Sequence, residues 1–455
     1  DKNPGFEQLI QAASPSAFHN SGDRFDPPKC HPKTRLKALE KISNWVNGTE
    51  HQNESVMWVN GGAGVGKSAI AQTVAERLAE EKRLVASFFF SRMDPTRNNA
   101  NSLVPTLSYH ALLHIPHLKA PIVHAVASNP LVFKLSIDAQ FSVLLTQPVR
   151  DLADSGYFQF TDSPRVVIID GLDECSNPSA QVSILNAISN AFRMDHFPLL
   201  FLIASRPEHH LSTVFNSKSF NGLLARLTLD ESFFPQYDIR FFLEDKFAEL
   251  KENHPFRDHL PASWPDPGQI QSLVDKSSGQ FIYASIAIKH ISSTRDRPNH
   301  RLDRILGLRP PLNENPFLEL DCLYTYIFSS LGSDFVDQVL DILAFQHPLL
   351  ISGDWTLVEI EMFLSLEAGS VEMALCDLAA IISIEKGFRG LRVKTLHASL
   401  SDYLQDESRS VAFHITSVSR YTAFAERYLE MVKIPGTCCV FVLCNAHERL
   451  LCQRI

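Results

Sequence analysis

Lys67 and Ser68 follow a run in which four of six residues are glycine: Gly61, Gly62, Ala63, Gly64, Val65 and Gly66. Lysine brings a mobile cation, the serine hydroxyl can ligate a divalent metal, and glycines let successive backbone N–H groups converge on one anion. The spacing Gly-x-x-x-x-Gly-Lys-Ser is that of a loop that grips phosphate with its backbone. A second constellation lies in "VVIIDGLDEC", where Asp170, Asp173 and Glu174 stand close together. Asp170 facing Ser68 would complete a Mg²⁺ site. Glu174 is preferred over Asp173 as the group that polarises an attacking water. Arg206, in "FLIASRPE", is a cation placed to sense an outer phosphate.

These groups need elements to hold them. "SVMWVN" is a short apolar run rich in β-formers that stops at Gly61. From Lys67 and Ala69 onward, Ile70, Val74 and Leu78 recur every fourth residue with Ala71 and Ala75 beside them, which predicts an amphipathic helix. The glycines therefore form a strand-to-helix loop, with the helix N-terminus adding unsatisfied donors and partial positive charge. "RVVIIDGLDEC" and "PLLFLIASRPE" read as strands buried on both faces. "RLVASFFFSR" and "LLARLTL" supply two more. Five strands interleaved with helices predict a parallel α/β sheet with its chemistry at the strands' carboxyl ends.

Other nucleotide-binding classes lack their marks here. No Asn-Lys-x-Asp guanine reader is present, so the expected base is adenine. "SSGQ", at 277–280, resembles an ABC-type signature but lies downstream of Asp170 rather than upstream. Net charge is −9, with 42 basic against 51 acidic residues, and basic clusters interleaved with aromatics are absent; neither nucleic acid nor a membrane surface is an expected partner. No apolar run approaches the length of a membrane span. Eight scattered cysteines without framework spacing favour a reducing, cytoplasmic setting. Four of them (Cys438, Cys439, Cys444 and Cys452) cluster near His447, but no C-x-x-C pair exists and a zinc site is not expected.

Past Leu229 the pattern turns helical. "DIRFFLEDKFAEL" puts Ile239, Phe242, Leu243, Phe247 and Leu250 on one face, and "PDPGQIQSLVDKSSGQFIYASIAIKHI" reads as two helices broken at Gly279. Further on, a helix leads into two short strands around Ile382 and Val393, joined by "EKGFRG", and then into another helix. That is a winged-helix outline. The expected organisation is a linker over 1–34, the nucleotide-binding domain over 35–232, a helical domain over 233–310, a winged-helix-like domain over 311–410 and an unassigned tail over 411–455. No internal repeat of sensor type is visible.

The ordered series "GGAGVGKSAIAQTVAE", "ASFFFSR", "VVIIDGLDEC", "FLIASRPE", "SSGQFIYASIAIKHI" and "LHASLSDYL" resembles the fungal NACHT NTPases, including their nephrocystin-like variant, of the STAND class. The resemblance implies a P-loop NTPase with Gly61–Ala69 as Walker A, Asp170 as the Walker B aspartate, and ATP or ADP with Mg²⁺ as cofactors. It implies a slow, regulated switch: ADP in the resting state, exchange for ATP, self-association, and signalling protein partners. It also implies that His397 of "LHASL" touches the β-phosphate. A non-hydrolysing, nucleotide-locked scaffold is the alternative, since no sensor or effector is recognisable. The Gly-x-Pro of related switches is replaced here by Gly279-Gln280-Phe281.

Overall fold

The computed structural model describes residues 4–432 apart from 25–26, 93, 160–162, 194–196, 230–232, 234, 295, 308–316, 332, 346–354, 379, 388 and 396. The chain forms two compact units, Asp1–Asp238 and Ile239–Ile455. The cysteine-bearing tail around His447 lies outside the described residues.

The first unit is built on five parallel strands: β1 (Val56–Asn60), β2 (Leu84–Phe89), β3 (Val166–Asp170), β4 (Leu200–Ser205) and β5 (Leu224–Thr228). Each falls within a run that the sequence marks as a strand. Their order is β2-β3-β4-β1-β5, so β4 separates the strand before the glycine loop from the strand ending in Asp170. Side chains alternate across a strand. Val56 and Trp58 of β1 join one core, and Met57 and Val59 join the other.

Helices cover both faces. α2 (Leu36–Val46) and α3 (Lys67–Glu80) pack on the Met57 side, where Ile70, Ala71, Val74, Ala75 and Leu78 are all buried. The other face carries α1 (Pro4–Ala12), α4 (Leu103–His114), α5 (Lys119–Ser128), α6 (Ile137–Phe141), α7 (Gln147–Asp154), α8 (Pro178–Phe192) and α9 (His209–Phe215). A π-helical turn, Ser142–Thr146, joins α6 to α7.

The segment 1–34, expected as a linker, is instead built into this unit where it is described, over 4–24 and 27–34. Leu9 and Ala17 are fully buried in its core. The Ser14 N–H donates to Thr106 Oγ1 at 2.8 Å, and the His19 N–H to Ser87 Oγ at 3.1 Å. Arg24 Nη1 donates to Gln72 Oε1 at 2.8 Å, and its guanidinium lies 4.0 Å from the centre of the Phe89 ring. The segment reads as polar because its polar groups meet matched partners inside the fold, which composition does not reveal.

The second unit is helical: α10 (Pro235–Asn253), α11 (Pro267–Ser277), α12 (Phe281–Ile291), α13 (Pro298–Gly307), α14 (Leu318–Ser329), α15 (Ser333–Ala344), α16 (Leu357–Leu364) and α17 (Ser370–Leu375) precede a hairpin. The hairpin pairs β6 (Ile382–Lys386) with β7 (Leu391–Thr395) antiparallel, and α18 (Ala398–Gln405), α19 (Glu407–Ser410) and α20 (Val418–Val432) follow. The order helix, hairpin, helix is that of a winged helix. The break between α11 and α12 falls at Ser278 and Gly279, both at positive φ. One continuous core runs from Ile239 to Phe424, so the expected 233–310 and 311–410 segments share an interior. The first turn of α10, from Pro235 to Asp238, belongs to the first unit. Among the described residues no helix is long and apolar enough to cross a membrane.

Three histidines line the buried side of β2. His110 Nδ1 accepts from the Ser87 N–H at 3.0 Å, and His19 Nδ1 lies 3.2 Å from Ser87 Oγ. The His110 and His114 rings sit 4.6 Å apart. Burial, with His114 and Arg24 nearby, drops His19 from its ordinary 6.5 to about 4, against an upward pull from Glu76. Burial, with His114 and His19, drops His110 to about 3. Between pH 6.5 and about 4 the unfolded chain therefore binds protons that the folded one refuses, so this stability is complete above 6.5 and lost as pH falls through that window. Urea midpoints should record a loss of several kcal/mol across the window, with a shallower slope for His110→Asn, whose Oδ1 can still accept from the Ser87 N–H. An unchanged slope in that variant would remove His110 from the account.

Candidate functional site

The carboxyl edge of the sheet gathers the groups whose spacing suggested phosphate chemistry. The loop leaves β1 at Gly61 and enters α3 at Gly66, with Gly64 at φ +73° and Gly66 at φ +93°. Both values lie in the left-handed region, which costs side-chain-bearing residues roughly 1–2 kcal/mol. At Gly61 the constraint is space: a Cβ would stand 3.0 Å from Val65 Cγ2 and 3.2 Å from the Leu229 carbonyl oxygen. Val65 thus packs against Gly61, and Ala69 lies in the first turn of α3. Lys67 Nζ donates to the carbonyls of Gly61 at 2.9 Å and Gly62 at 2.7 Å. An ammonium has three donors, so one remains for a phosphate oxygen. Burial pulls the Lys67 pKa down, with Asp173 opposing and Arg206 adding to the shift.

Asp170 ends β3 and is 3% exposed. Burial raises it from 3.8 to about 6, opposed by a hydrogen bond from Ser68 and by the charges of Arg24 and Lys67. Its Oδ1 is buried and has no hydrogen-bond partner. An orphaned carboxylate oxygen beside a serine hydroxyl, at the mouth of a backbone cradle, fits a hard divalent cation accompanying a phosphate. Gly171 follows at φ +69° and opens a short 3₁₀ turn, Leu172–Glu174.

That turn sends its two acids to opposite neighbours. Asp173, buried, accepts from the Arg206 N–H at 3.0 Å and pairs with Arg206 Nε at 3.2 Å, both at the tip of β4. Glu174 Oε2 accepts from the Arg92 N–H at 3.1 Å, beyond the tip of β2. Burial and the Asp173 carboxylate push Glu174 up to about 7, where a carboxylate can accept a proton near neutrality. Asp170, Asp173, Glu174, Arg206, Lys67 and Ser68 therefore share one edge of the sheet.

His397 lies in the second unit as the N-cap of α18. Its Nδ1 accepts from the Ser399 N–H at 3.0 Å and lies 2.8 Å from Ser399 Oγ, which in turn contacts the Tyr324 hydroxyl at 2.8 Å. With Nδ1 accepting, the proton of a neutral ring sits on Nε2, leaving that nitrogen a donor.

Sequence reasoning missed two arginines. Arg24 sits behind Asp170 and shares its field. Arg35, in the lead-in segment "CHPKTRLKALE", is 5% exposed and donates from Nη2 to the Val65 carbonyl of the loop at 2.6 Å. An arginine ahead of an amphipathic helix gives no local sign that it will be buried.

The strand order and the loop define a P-loop NTPase fold. Residues 35–206, under half of the chain, match the family described as nephrocystin 3, N-terminal. No curated protein matches significantly. Among solved structures, a STAND protein (signal transduction ATPase with numerous domains) with a tetratricopeptide repeat sensor, from Pyrococcus horikoshii, is similar at 11% identity and a TM-score of 0.42. That match covers 90% of this chain and 47% of the other, so the chain spans about half of that protein's length. A point mutant of RuvB from Thermotoga maritima is similar at 13% identity and a TM-score of 0.33, covering 84% of this chain and 99% of that one. The FIGL-1 AAA domain in complex with ADP is similar at 13% identity and a TM-score of 0.32, covering 71% and 98%. Similarities at this level carry no functional argument; the fold class rests on the sheet and the loop.

The Asp173–Arg206 pair is open to direct measurement. A double-mutant cycle of Asp173→Asn and Arg206→Met, read by urea unfolding, should give a coupling on the order of 1 kcal/mol. Additive losses would mean that Asp173 does not hold Arg206.

Proposed function

We propose that the first unit binds an adenine nucleotide with Mg²⁺ and hydrolyses ATP slowly, as the switch element of a NACHT-like signalling NTPase. The single observation that carries this reading is the convergence, at one sheet edge, of the left-handed glycine loop, Lys67, the Ser68–Asp170 pair and Glu174. Adenine is favoured over guanine by the missing guanine reader, and the matched family segment covers every one of these residues.

In this reading the N–H groups of Gly62 to Ala69 hold the phosphates, and Lys67 turns its remaining donor to the outer ones. Ser68 and Asp170 are the residues that would hold Mg²⁺, which when bound neutralises charge on the phosphate oxygens. Glu174 takes the proton of the attacking water. Arg206, steadied by Asp173, stabilises charge as it develops on the outer phosphate. The resemblance further implies that His397 touches the β-phosphate in a resting, ADP-bound form. A contact made in one conformational state alone biases the equilibrium between states. Nucleotide exchange then governs self-association and the engagement of signalling partners. A cytoplasmic setting is part of the same reading.

The protein as purified should carry adenine nucleotide, detectable by mass spectrometry, and Lys67→Ala should lose it. Equal retention in that variant would count against the whole reading. Glu174→Gln should retain ATP and slow single-turnover hydrolysis by roughly 100-fold or more. Identical, negligible turnover in the wild type and in Glu174→Gln would instead indicate a nucleotide-locked scaffold.

A further inference from the structure

Arg35 joins three stretches of chain that are far apart in sequence. Its Nη2 donates to the Val65 carbonyl, and a Cβ built on Gly66 would lie 3.9 Å from its Nε. Its own backbone N–H donates to Asp238 Oδ2 at 3.0 Å. Asp238 stands in the first turn of α10, the helix by which the chain leaves the first unit. Arg35 adopts φ +57°, a left-handed conformation that arginine does not prefer, and it is the N-cap of α2. Burial pulls its pKa down, and the charge of Asp238 opposes that shift.

The consequence for the loop follows from peptide geometry. A peptide unit is planar, with its C=O and N–H pointing in opposite directions. Holding the Val65 carbonyl toward Arg35 turns the Gly66 N–H away from Arg35. Left-handed glycines stand on either side of Val65, at 64 and 66, and glycine resists rotation of the neighbouring peptide less than any other residue. The Val65–Gly66 peptide therefore needs an outside partner to keep its N–H available to an anion.

We propose that Arg35 is a positioning residue that locks the Val65–Gly66 peptide of the phosphate cradle to the first turn of α10, so that phosphate affinity depends on Asp238 holding Arg35 in place. The inference rests on the nucleotide reading above and names a control within it. Among the described residues Asp238 is linked to the loop through Arg35, and its loss weakens nucleotide binding. By reciprocity, nucleotide in the cradle steadies the start of α10.

The test uses the full chain stripped of nucleotide, with ADP and MgCl₂ as the probe in calorimetric titrations. Arg35→Met should weaken ADP by about 30-fold and Asp238→Ala by about 5-fold, and the double variant should be no weaker than Arg35→Met alone. Arg35→Lys, which keeps a donor for the Val65 carbonyl, should recover most of the loss. Hydrogen exchange at residues 239–243 should slow with ADP in the wild type and stay unchanged in Arg35→Met. If Arg35→Met does not fold, Asp238→Ala and the exchange arm carry the test. Wild-type ADP affinity in Asp238→Ala, or additive losses in the double variant, overturns the proposal while leaving the nucleotide reading intact. Equal ADP binding by wild type and Lys67→Ala overturns both.

Discussion

A carboxylate buried at the end of a central strand is the constraint to which the rest of this molecule answers. Asp170 is 3% exposed, and taking an ionised carboxylate out of water costs several kcal/mol unless partners compensate. Ser68, Lys67 and Arg24 compensate, and they come from different parts of the chain. The first two arrive with the loop and α3. Arg24 arrives with the N-terminal segment, held by Gln72 of α3 and stacked on Phe89, the register neighbour of Asp170 in β2. The same charge that makes a metal site chemically sensible thus explains why the segment before residue 35 is built into the fold.

Three acids within five residues are held differently because their surroundings differ. Asp170 keeps one oxygen without a partner, Asp173 is held by Arg206, and Glu174 is raised to about 7. The left-handed Gly171 makes this possible: it turns the chain sharply after β3, so that consecutive acids reach the tips of β4 and β2 on either side. Environment rather than residue type sets these differences.

Much of this was legible in the sequence, for local reasons. A strand buried on both faces must be apolar along its whole length, so "VVIID" and "FLIAS" announce β3 and β4. The glycine spacing before Lys67 announces a loop, and the four-residue spacing of Ile70, Val74 and Leu78 announces α3. The N-terminal segment was not legible, because Ser14, His19 and Arg24 are buried against Thr106, Ser87 and Gln72, and a satisfied polar residue looks like a surface one. The helices from α4 to α7 were equally silent. His110, buried at 2% exposure, and the π-helical turn at Ser142–Thr146 interrupt the simple apolar stripe that would mark an amphipathic helix.

The sequence by itself determined which residues stand at the carboxyl ends of strands and which loop can accept left-handed backbone. Both depend on neighbours a few positions away. Only the tertiary structure decided that β4 inserts between β1 and β3, bringing Arg206 to Asp173, and that Val65 and Asp238 both meet Arg35. Strand order and such meetings are set by how long crossovers close and by which buried charges must be matched. No periodicity within a segment encodes either.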